Sequence, residues 1–255
     1  MKYIRNIKKF APLLMIVGVL LLNQACASKA KEEDSRPPEQ LYSDAMSNMK
    51  KQNYKKSADL FSQIAYKYPY YKWAAKSQVM EIYSYYLLKE YDNAIATIEI
   101  FVKTHPAYHD IAYVYYLKAL SYYDQIDSPH RDQSVTAEAK RSFLDLIGRF
   151  PDSEYAKDAK IKLELIEDHL AAQEMIVGRY YLEKGNIVAA INRFKTVVDE
   201  YPTTSHIEEA LYRLTESYTF LGLKDEAQKY ASVLGHNYPN SKWYKESYKL
   251  VKKAG

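Results

Sequence analysis

The chain has 255 residues, of which 27 are tyrosine, 7 are glycine and 9 are proline. Few glycines and prolines among long Ala/Leu/Ile/Tyr/Lys/Glu runs favour an all-helical protein with room for one large domain or two small ones. The formal charge of +4 includes four basic residues of a leader that we expect to be removed: Lys2, Arg5, Lys8 and Lys9. The other 32 basic residues balance 32 acidic ones, which excludes a long-range field for nucleic acid.

Residues 1–25 are predicted to be a signal peptide. A basic start precedes an apolar run of 13 residues from Phe10 to Leu22, whereas about 20 residues are needed to span a bilayer. The segment is therefore an export signal rather than a membrane span. Cys26, the single cysteine, follows it. A lone cysteine in an exported protein cannot form an internal disulfide.

The residues before Cys26 resemble a bacterial lipobox, Leu-Ala/Ser-Gly/Ala-Cys, with Ala25 at the small position. This resemblance implies cleavage before Cys26 and its acylation, and more than one acyl chain gives stable attachment to a bilayer. The alternatives are an ordinary secretory peptide cut after Ala25, or a spare buried thiol. Ala27 and Ser28, rather than an aspartate, directly follow the cysteine, which by resemblance to enterobacterial sorting implies the outer membrane. Residues 26–40 are charged, lack an apolar pattern and are expected to form a flexible tether.

Five prolines, each preceded by an aromatic residue or histidine, recur along the rest of the chain at spacings of 37, 45, 51 and 37 residues: Pro69, Pro106, Pro151, Pro202 and Pro239. Such self-similarity predicts a helical solenoid whose register matches the 34-residue tetratricopeptide (TPR) repeat. Eight residues before each proline we expect a packing residue: Phe61, Ile98, Phe143, Phe194 and Ala231. Close approach of the two helices of each repeat, A and B, is expected at Ser57, Ala94, Ala139, Ala190 and Ala227 on helix B. The helix A positions are Ala45, Ile82, Ala119, Gly178 and Thr215.

The predicted fold class is all-α: a right-handed α-solenoid of five TPR-like repeats plus a C-terminal closing helix. The solenoid covers residues 41–250, with repeats at about 41–70, 75–107, 111–152, 153–203 and 206–240 and a closing helix at 242–253. Repeat three contains a polar insertion at 124–135. Repeat four has about two extra helical turns or a break between Ser153 and Glu174. Three hydroxyl residues are predicted to cap new helices: Ser153, Thr204 and Ser241.

Catalytic motifs are not found in the sequence, so an enzyme is not predicted and no cofactor is expected apart from lipid on Cys26. There is no phosphate-binding glycine loop, Cys-x-x-Cys, His-Glu-x-x-His or Gly-x-Ser-x-Gly. The nearest approach to a metal set is His105, His109 and His130, but Pro106 breaks the helical spacing of the first two. We therefore predict no metal site.

Three stretches and the odd repeat spacings resemble the BamD (ComL) family of lipoproteins in the outer-membrane β-barrel assembly complex. The stretches are YYLKALSYYDQ with the polar insertion, RSFLDLIGRFPDSEYAKDAK, and VAAINRFKTVVDEYP. The resemblance implies a non-enzymatic periplasmic scaffold, anchored in the outer membrane, that binds the barrel subunit BamA and other lipoproteins of the complex. It also implies help in recognising and inserting unfolded outer-membrane proteins, whose C-terminal signals are aromatic. The alternative is another TPR scaffold lipoprotein, such as a type IV pilotin.

TPR solenoids bind ligands on the face lined by helix A. At the offsets expected to face this groove, the first three repeats present a cluster of tyrosines: Tyr42, Tyr83, Tyr86, Tyr113, Tyr116 and Tyr123. Tyrosine offers a large rigid contact area and a hydroxyl at low entropy cost, so this cluster is the candidate client-peptide groove. The alternative is that these tyrosines only pack the fold. Resemblance to the family's Asn-Arg pair makes Arg193 the candidate BamA contact, with a solvated surface arginine as the alternative.

Overall fold

The computed structural model describes residues 35–254, and every regular element in that range is an α-helix. The predicted signal peptide, Cys26 and most of the predicted tether lie outside the described residues. In chain order the helices are α1 Pro38–Lys50, α2 Tyr54–Lys67, α3 Ala74–Leu87, α4 Tyr91–Thr104, α5 Ile111–Tyr123, α6 Ser134–Arg149, α7 Glu154–Glu183, α8 Ile187–Glu200, α9 Ile207–Phe220, α10 Lys224–Asn237 and α11 Lys242–Ala254.

The helices pack as consecutive A and B pairs: α1–α2, α3–α4, α5–α6, α7–α8 and α9–α10, followed by α11. Each helix contacts the next one along the chain, and several A helices also contact each other directly, namely α3 with α5 and α5 with α7. This arrangement confirms the all-α TPR solenoid predicted from the proline spacing.

The core lies at the positions that the repeat register marks. Phe61, Ile98, Phe143 and Phe194 are fully buried, and Ala231 is buried. The small positions are buried as well, and the helices approach closely there: the Ser57 hydroxyl donates to the carbonyl oxygen of Ala45 at 3.1 Å. Where one helix of a repeat has a small residue, a large side chain of the other helix fills the space; Phe194 of α8 packs in this way against Gly178 of α7.

Four of the A–B turns share one backbone geometry. Their left-handed residues are Gln52, Lys89, Gly185 and Gly222, with φ between 60° and 77°. In repeat four the Gly185 amide donates to the Leu182 carbonyl and the Asn186 amide to the Tyr181 carbonyl, which is the Schellman arrangement that closes a helix. Glycine adopts this conformation freely, whereas the first two repeats hold a glutamine and a lysine in it.

Repeat three replaces the tight turn with the polar insertion. The loop runs from 124 to 133 and so ends two residues before the predicted end of the insertion, because α6 begins at Ser134. Within the loop, the Arg131 guanidinium bonds the Asp127 carboxylate at 2.6 Å, and Asp132 accepts from the Ser134 amide at 3.0 Å. These short-range bonds order the loop, which takes the place of the tight turn found in the other repeats.

The long spacing before Pro202 comes from a continuous helix. Helix α7 has 30 residues, so the chain gains extra turns rather than a break. Its N-terminal half packs in the core of repeat three through Ala159 and Ile166. Its C-terminal half supplies helix A of repeat four through Ala171 and Met175. One rigid element thus joins the two hydrophobic clusters.

Three boundary predictions can be compared with the helix ends. Ser153 caps α7 by accepting from the Ala156 amide, and Ser241 accepts from the Trp243 amide at 3.1 Å at the start of α11. The prediction that Thr204 caps a helix was wrong: α9 begins at Ile207, and the Thr204 hydroxyl donates instead to the Tyr201 carbonyl.

Helix α1 begins at Pro38, inside the predicted tether 26–40, because proline is well suited to a first helical position.

Candidate functional site

Tyrosine rings form a connected row across the A helices of repeats two and three and the start of α7. Ring centroids lie 6.4 Å apart for Tyr86 and Tyr83 and 6.5 Å apart for Tyr83 and Tyr113. Tyr155 then lies 5.4 Å from Tyr113 and 5.3 Å from Tyr116. All five rings are partly exposed. We call these five residues the tyrosine row.

Two hydroxyls of the row are held by carboxylates. Tyr86 donates to Asp124 at 2.6 Å, and Tyr116 donates to Asp158 at 2.5 Å. Burial, and then the hydrogen-bonded aspartate, raises the pKa of both hydroxyls above that of ordinary tyrosine. Because these oxygens already have partners, what the row offers to a ligand is chiefly the faces and edges of its aromatic rings.

Four of the six tyrosines proposed from the sequence belong to this row. The other two pack elsewhere. Tyr42 contacts Phe61 and Trp73, with centroids 5.6 and 4.8 Å away, and Tyr123 contacts Phe143 at 5.9 Å. Neither ring contacts a tyrosine of the row directly, although Phe143 also lies 6.5 Å from Tyr116. Both are partly exposed, as the rings of the row are, so their place in the client groove stays a prediction.

Tyr155 was missed by the sequence reasoning. It lies in the extra turns of α7, ahead of the part that aligns with helix A of repeat four, so the repeat offsets do not reach it. Its pKa is raised, mainly by burial and then by the nearby Asp110. The continuity of α7 is the signal that could have found it, since the added turns lie beside helix α5, which α7 contacts.

The corresponding face of repeats four and five carries charges. The Arg179 guanidinium donates to both carboxylate oxygens of Glu209, at 3.1 and 3.2 Å. Arg213 contacts Glu209 at 3.4 Å and Glu216 at 2.8 Å. Since these groups satisfy one another, the face changes along the solenoid from aromatic to internally paired charge.

Arg193 lies on α8 and bonds a carboxylate of its own chain. Its Nη1 atom donates to the two oxygens of Glu174 on α7 at 3.3 and 3.1 Å. The Arg193 side chain is 43% exposed, whereas that of Glu174 is 15% exposed. The arginine thus ties helix B to helix A of repeat four and still presents part of its guanidinium to solvent.

Residues 35–254 hold no group of three or more His, Cys, Asp or Glu side chains placed to bind a metal ion. Nor do they hold a helix of the length and apolar character needed to cross a bilayer.

Residues 34–234 match the YfiO family, which is described as "Outer membrane lipoprotein". The chain belongs to this family. Relatives of the chain are named outer membrane protein assembly factor BamD, which confirms the family that the resemblance implied. The names of these relatives, which align over nearly the whole chain, favour BamD over the pilotin alternative.

Two of these relatives cover nearly the whole chain. A BamD of Rickettsia prowazekii is 47% identical over 97% of this chain and 98% of its own length. A BamD of Caulobacter vibrioides is 38% identical over 96% of this chain and 82% of its own length. Among solved structures, a TPR repeats protein from Bacteroides fragilis is 17% identical and has a TM-score of 0.49, covering 85% of this chain and 98% of that one.

Proposed function

We propose that this chain is a periplasmic, lipid-anchored scaffold that binds the barrel subunit BamA and helps to recognise and insert unfolded β-barrel outer-membrane proteins. The observation that carries the proposal is the 47% identity to a BamD over nearly the full length of both chains. The all-helical repeat architecture suits such a role because a solenoid offers extended binding surfaces rather than a closed catalytic pocket.

Within this function, the tyrosine row receives aromatic-ended client segments. Its rings are partly exposed and lie on helices of three successive repeats. The spacing of neighbouring rings, between 5.3 and 6.5 Å, leaves ring edges and faces that an inserted aromatic side chain can contact. An extended client strand would contact several rings in turn. We therefore expect the row to select clients by the length and aromatic content of the strand rather than by one fixed sequence.

The test is the affinity of a fluorescent peptide that copies the C-terminal strand of an outer-membrane β-barrel protein. In a Tyr83→Ala/Tyr116→Ala variant we expect at least tenfold weaker binding, because buried aromatic anchors at interfaces each contribute about 2 kcal/mol or more. Tyr66→Ala is the matched control, since this tyrosine is 86% exposed outside the row. Unchanged affinity in the double variant, with an unchanged helical circular dichroism spectrum, would show that the row does not bind clients.

A Tyr83→Phe/Tyr116→Phe variant separates ring contacts from hydroxyl contacts. The Tyr116 hydroxyl is already bonded to Asp158, so we expect the phenylalanine variant to retain most of the peptide affinity. A loss as large as that of the alanine variant would mean that the hydroxyls, and not the rings, hold the client.

Arg193 is proposed to contact BamA. Arginine can bond two carboxylates with its planar fork, so the bond to Glu174 leaves a part of the exposed guanidinium for a partner. Arg193→Glu should weaken co-purification with BamA, and Lys195→Glu, an exposed neighbour on the same helix, serves as the charge-matched control. Equal co-purification of both variants would remove this role.

The anchor is proposed to be acylated Cys26, which would hold the protein on the periplasmic side of the outer membrane. Cys26→Ala should abolish labelling by a radioactive fatty acid and release the protein from the membrane fraction. Equal labelling of the variant would mean that the cysteine is not the attachment site.

A further inference from the structure

Helix α11 occupies the place of helix A in a sixth repeat. It follows Tyr238-Pro239 as α9 follows Tyr201-Pro202, and it contacts both helices of repeat five.

The register shows which side of α11 lacks a neighbour. Counted from the preceding proline, Tyr244, Tyr248 and Lys252 correspond to Ile207, Leu211 and Thr215 of α9. The three α9 residues are 7%, 1% and 0% exposed, and Ile207 and Leu211 pack in one cluster with Leu234 of their own helix B. On α11, Tyr244 is partly buried against the same cluster, but the rest of this side is open: Tyr248 is 56% exposed, and Lys252 is exposed.

A groove of about 550 Å³ lies where a helix B paired with α11 would pack. It is lined by Ala231 and Gly235 of α10 and by Tyr244, Tyr248 and Lys252 of α11, among others. At the two α10 positions, the preceding helix B has Phe194 and Val198. The smaller side chain at Gly235 lets the Tyr244 ring pack directly onto α10, where an added Cβ would lie 2.5 Å from a ring carbon. The open part of the groove is therefore at Tyr248 and Lys252, one and two turns further along α11.

The charges beside the groove indicate which side chains a helix bound there would carry. Helix α11 carries five lysines and one glutamate among its side chains, a net charge of +4. Lys245, Lys249 and Lys252 recur at helical spacing along an exposed stripe next to the tyrosine stripe. Glu246 pairs with Lys249 at 2.7 Å, but both side chains are more than half exposed, so this pair contributes little.

We infer that the α10–α11 groove docks an amphipathic helix of a partner protein, with apolar residues facing Tyr244 and Tyr248 and acidic residues facing the lysine stripe. The partner helix would be about 14 residues long, since four of the five B helices have that length. A second copy of this chain fits the site poorly, because its own α11 would bring a like charge. A lipid surface fits poorly as well, because the groove is concave and flanked by a helix on each side.

The test uses a fluorescein-labelled 14-residue peptide and the full chain in detergent. The peptide keeps the five buried side chains of α8 at their native spacing and has glutamate at the other positions, while a control peptide has lysine there. We expect saturable fluorescence anisotropy for the acidic peptide and at least tenfold weaker binding of the lysine peptide. No binding of the acidic peptide, or equal binding of both, would overturn the inference.

Protein variants locate the site. Lys249→Glu/Lys252→Glu should reverse the preference between the two peptides, whereas the control Lys160→Glu/Lys195→Glu, which changes exposed lysines on other helices, should leave it unchanged. Tyr248→Ala should weaken binding at least tenfold with the helical signal retained. Unchanged affinity in the α11 variants would overturn the proposal.

Two further measurements address the other occupants. A dimer in light scattering that Tyr248→Ala dissociates would assign the groove to a second copy. Binding of phosphatidylglycerol vesicles that depends on the same lysines, together with peptide affinity that does not, would assign it to lipid. Either result would overturn the proposal. Because these measurements do not involve the tyrosine row, they are independent of client binding.

Discussion

Gly178 offers a direct test of how tightly helices A and B of repeat four pack. A Cβ atom added at this position would lie 2.4, 2.8 and 2.9 Å from three ring carbons of Phe194, about 1 Å inside the normal carbon–carbon contact of 3.5–4.0 Å. Phe194 is fully buried, so its ring cannot move away without disturbing the core. Overpacking of this kind costs about 1–3 kcal/mol, and replacing a helical glycine by alanine recovers about 1 kcal/mol.

A contact of 2.4 Å places the overpacking cost in the upper part of that range, at about 2–3 kcal/mol. Gly178→Ala should therefore destabilise the protein by about 1–2 kcal/mol. For a chain of this size, that lowers the melting temperature by about 2–8 °C. Gly148→Ala on α6 is the matched control, since an added Cβ there meets no atom within 4 Å, and it should raise the melting temperature by about 2–4 °C. Thermal unfolding followed by circular dichroism measures both. A Gly178→Ala variant that melts at or above the parent temperature would refute the close-packing argument.

Two further predictions concern stability. Lys89 is held at φ 60°, a conformation that costs a side-chain-bearing residue about 1–2 kcal/mol. Lys89→Gly should therefore stabilise the folded protein by about 0.5–1 kcal/mol, after the greater unfolded-state entropy of glycine is subtracted. A lower urea midpoint for the variant would contradict this. Burial raises the pKa of Glu81 to about 7, with the Ser62 hydroxyl opposing and Asp59 adding to the shift. Because the folded state holds this proton more tightly than the unfolded state, stability should fall as pH rises from about 4.5 to 7. Glu81→Gln should remove that slope and unfold at a higher temperature than the parent at pH 8; equal pH profiles would exclude the effect.

The predicted helices and their buried residues depend on short-range pattern, which is why so many were confirmed. A proline after an aromatic residue ends a helix locally, and the 3.6-residue period then fixes which side chains face the neighbouring helix. Phe61, Phe143 and Phe194 could be placed in the core on these grounds alone. Thr204 failed because a hydroxyl near a helix start can bond either the next turn or the preceding one. The sequence pattern does not distinguish these two choices.

The composition and repeat register of this protein determined its helices, its core positions and the turns between its repeats, because each depends on residues close together in the chain. Tertiary structure decided which distant side chains meet. It joined Tyr155 to Tyr113 and Tyr116, and it paired Arg193 with Glu174. These contacts depend on how far one helix is shifted along another, which the periodicity of a single helix does not specify. The continuous 30-residue α7 sets that shift between the third and fourth repeats.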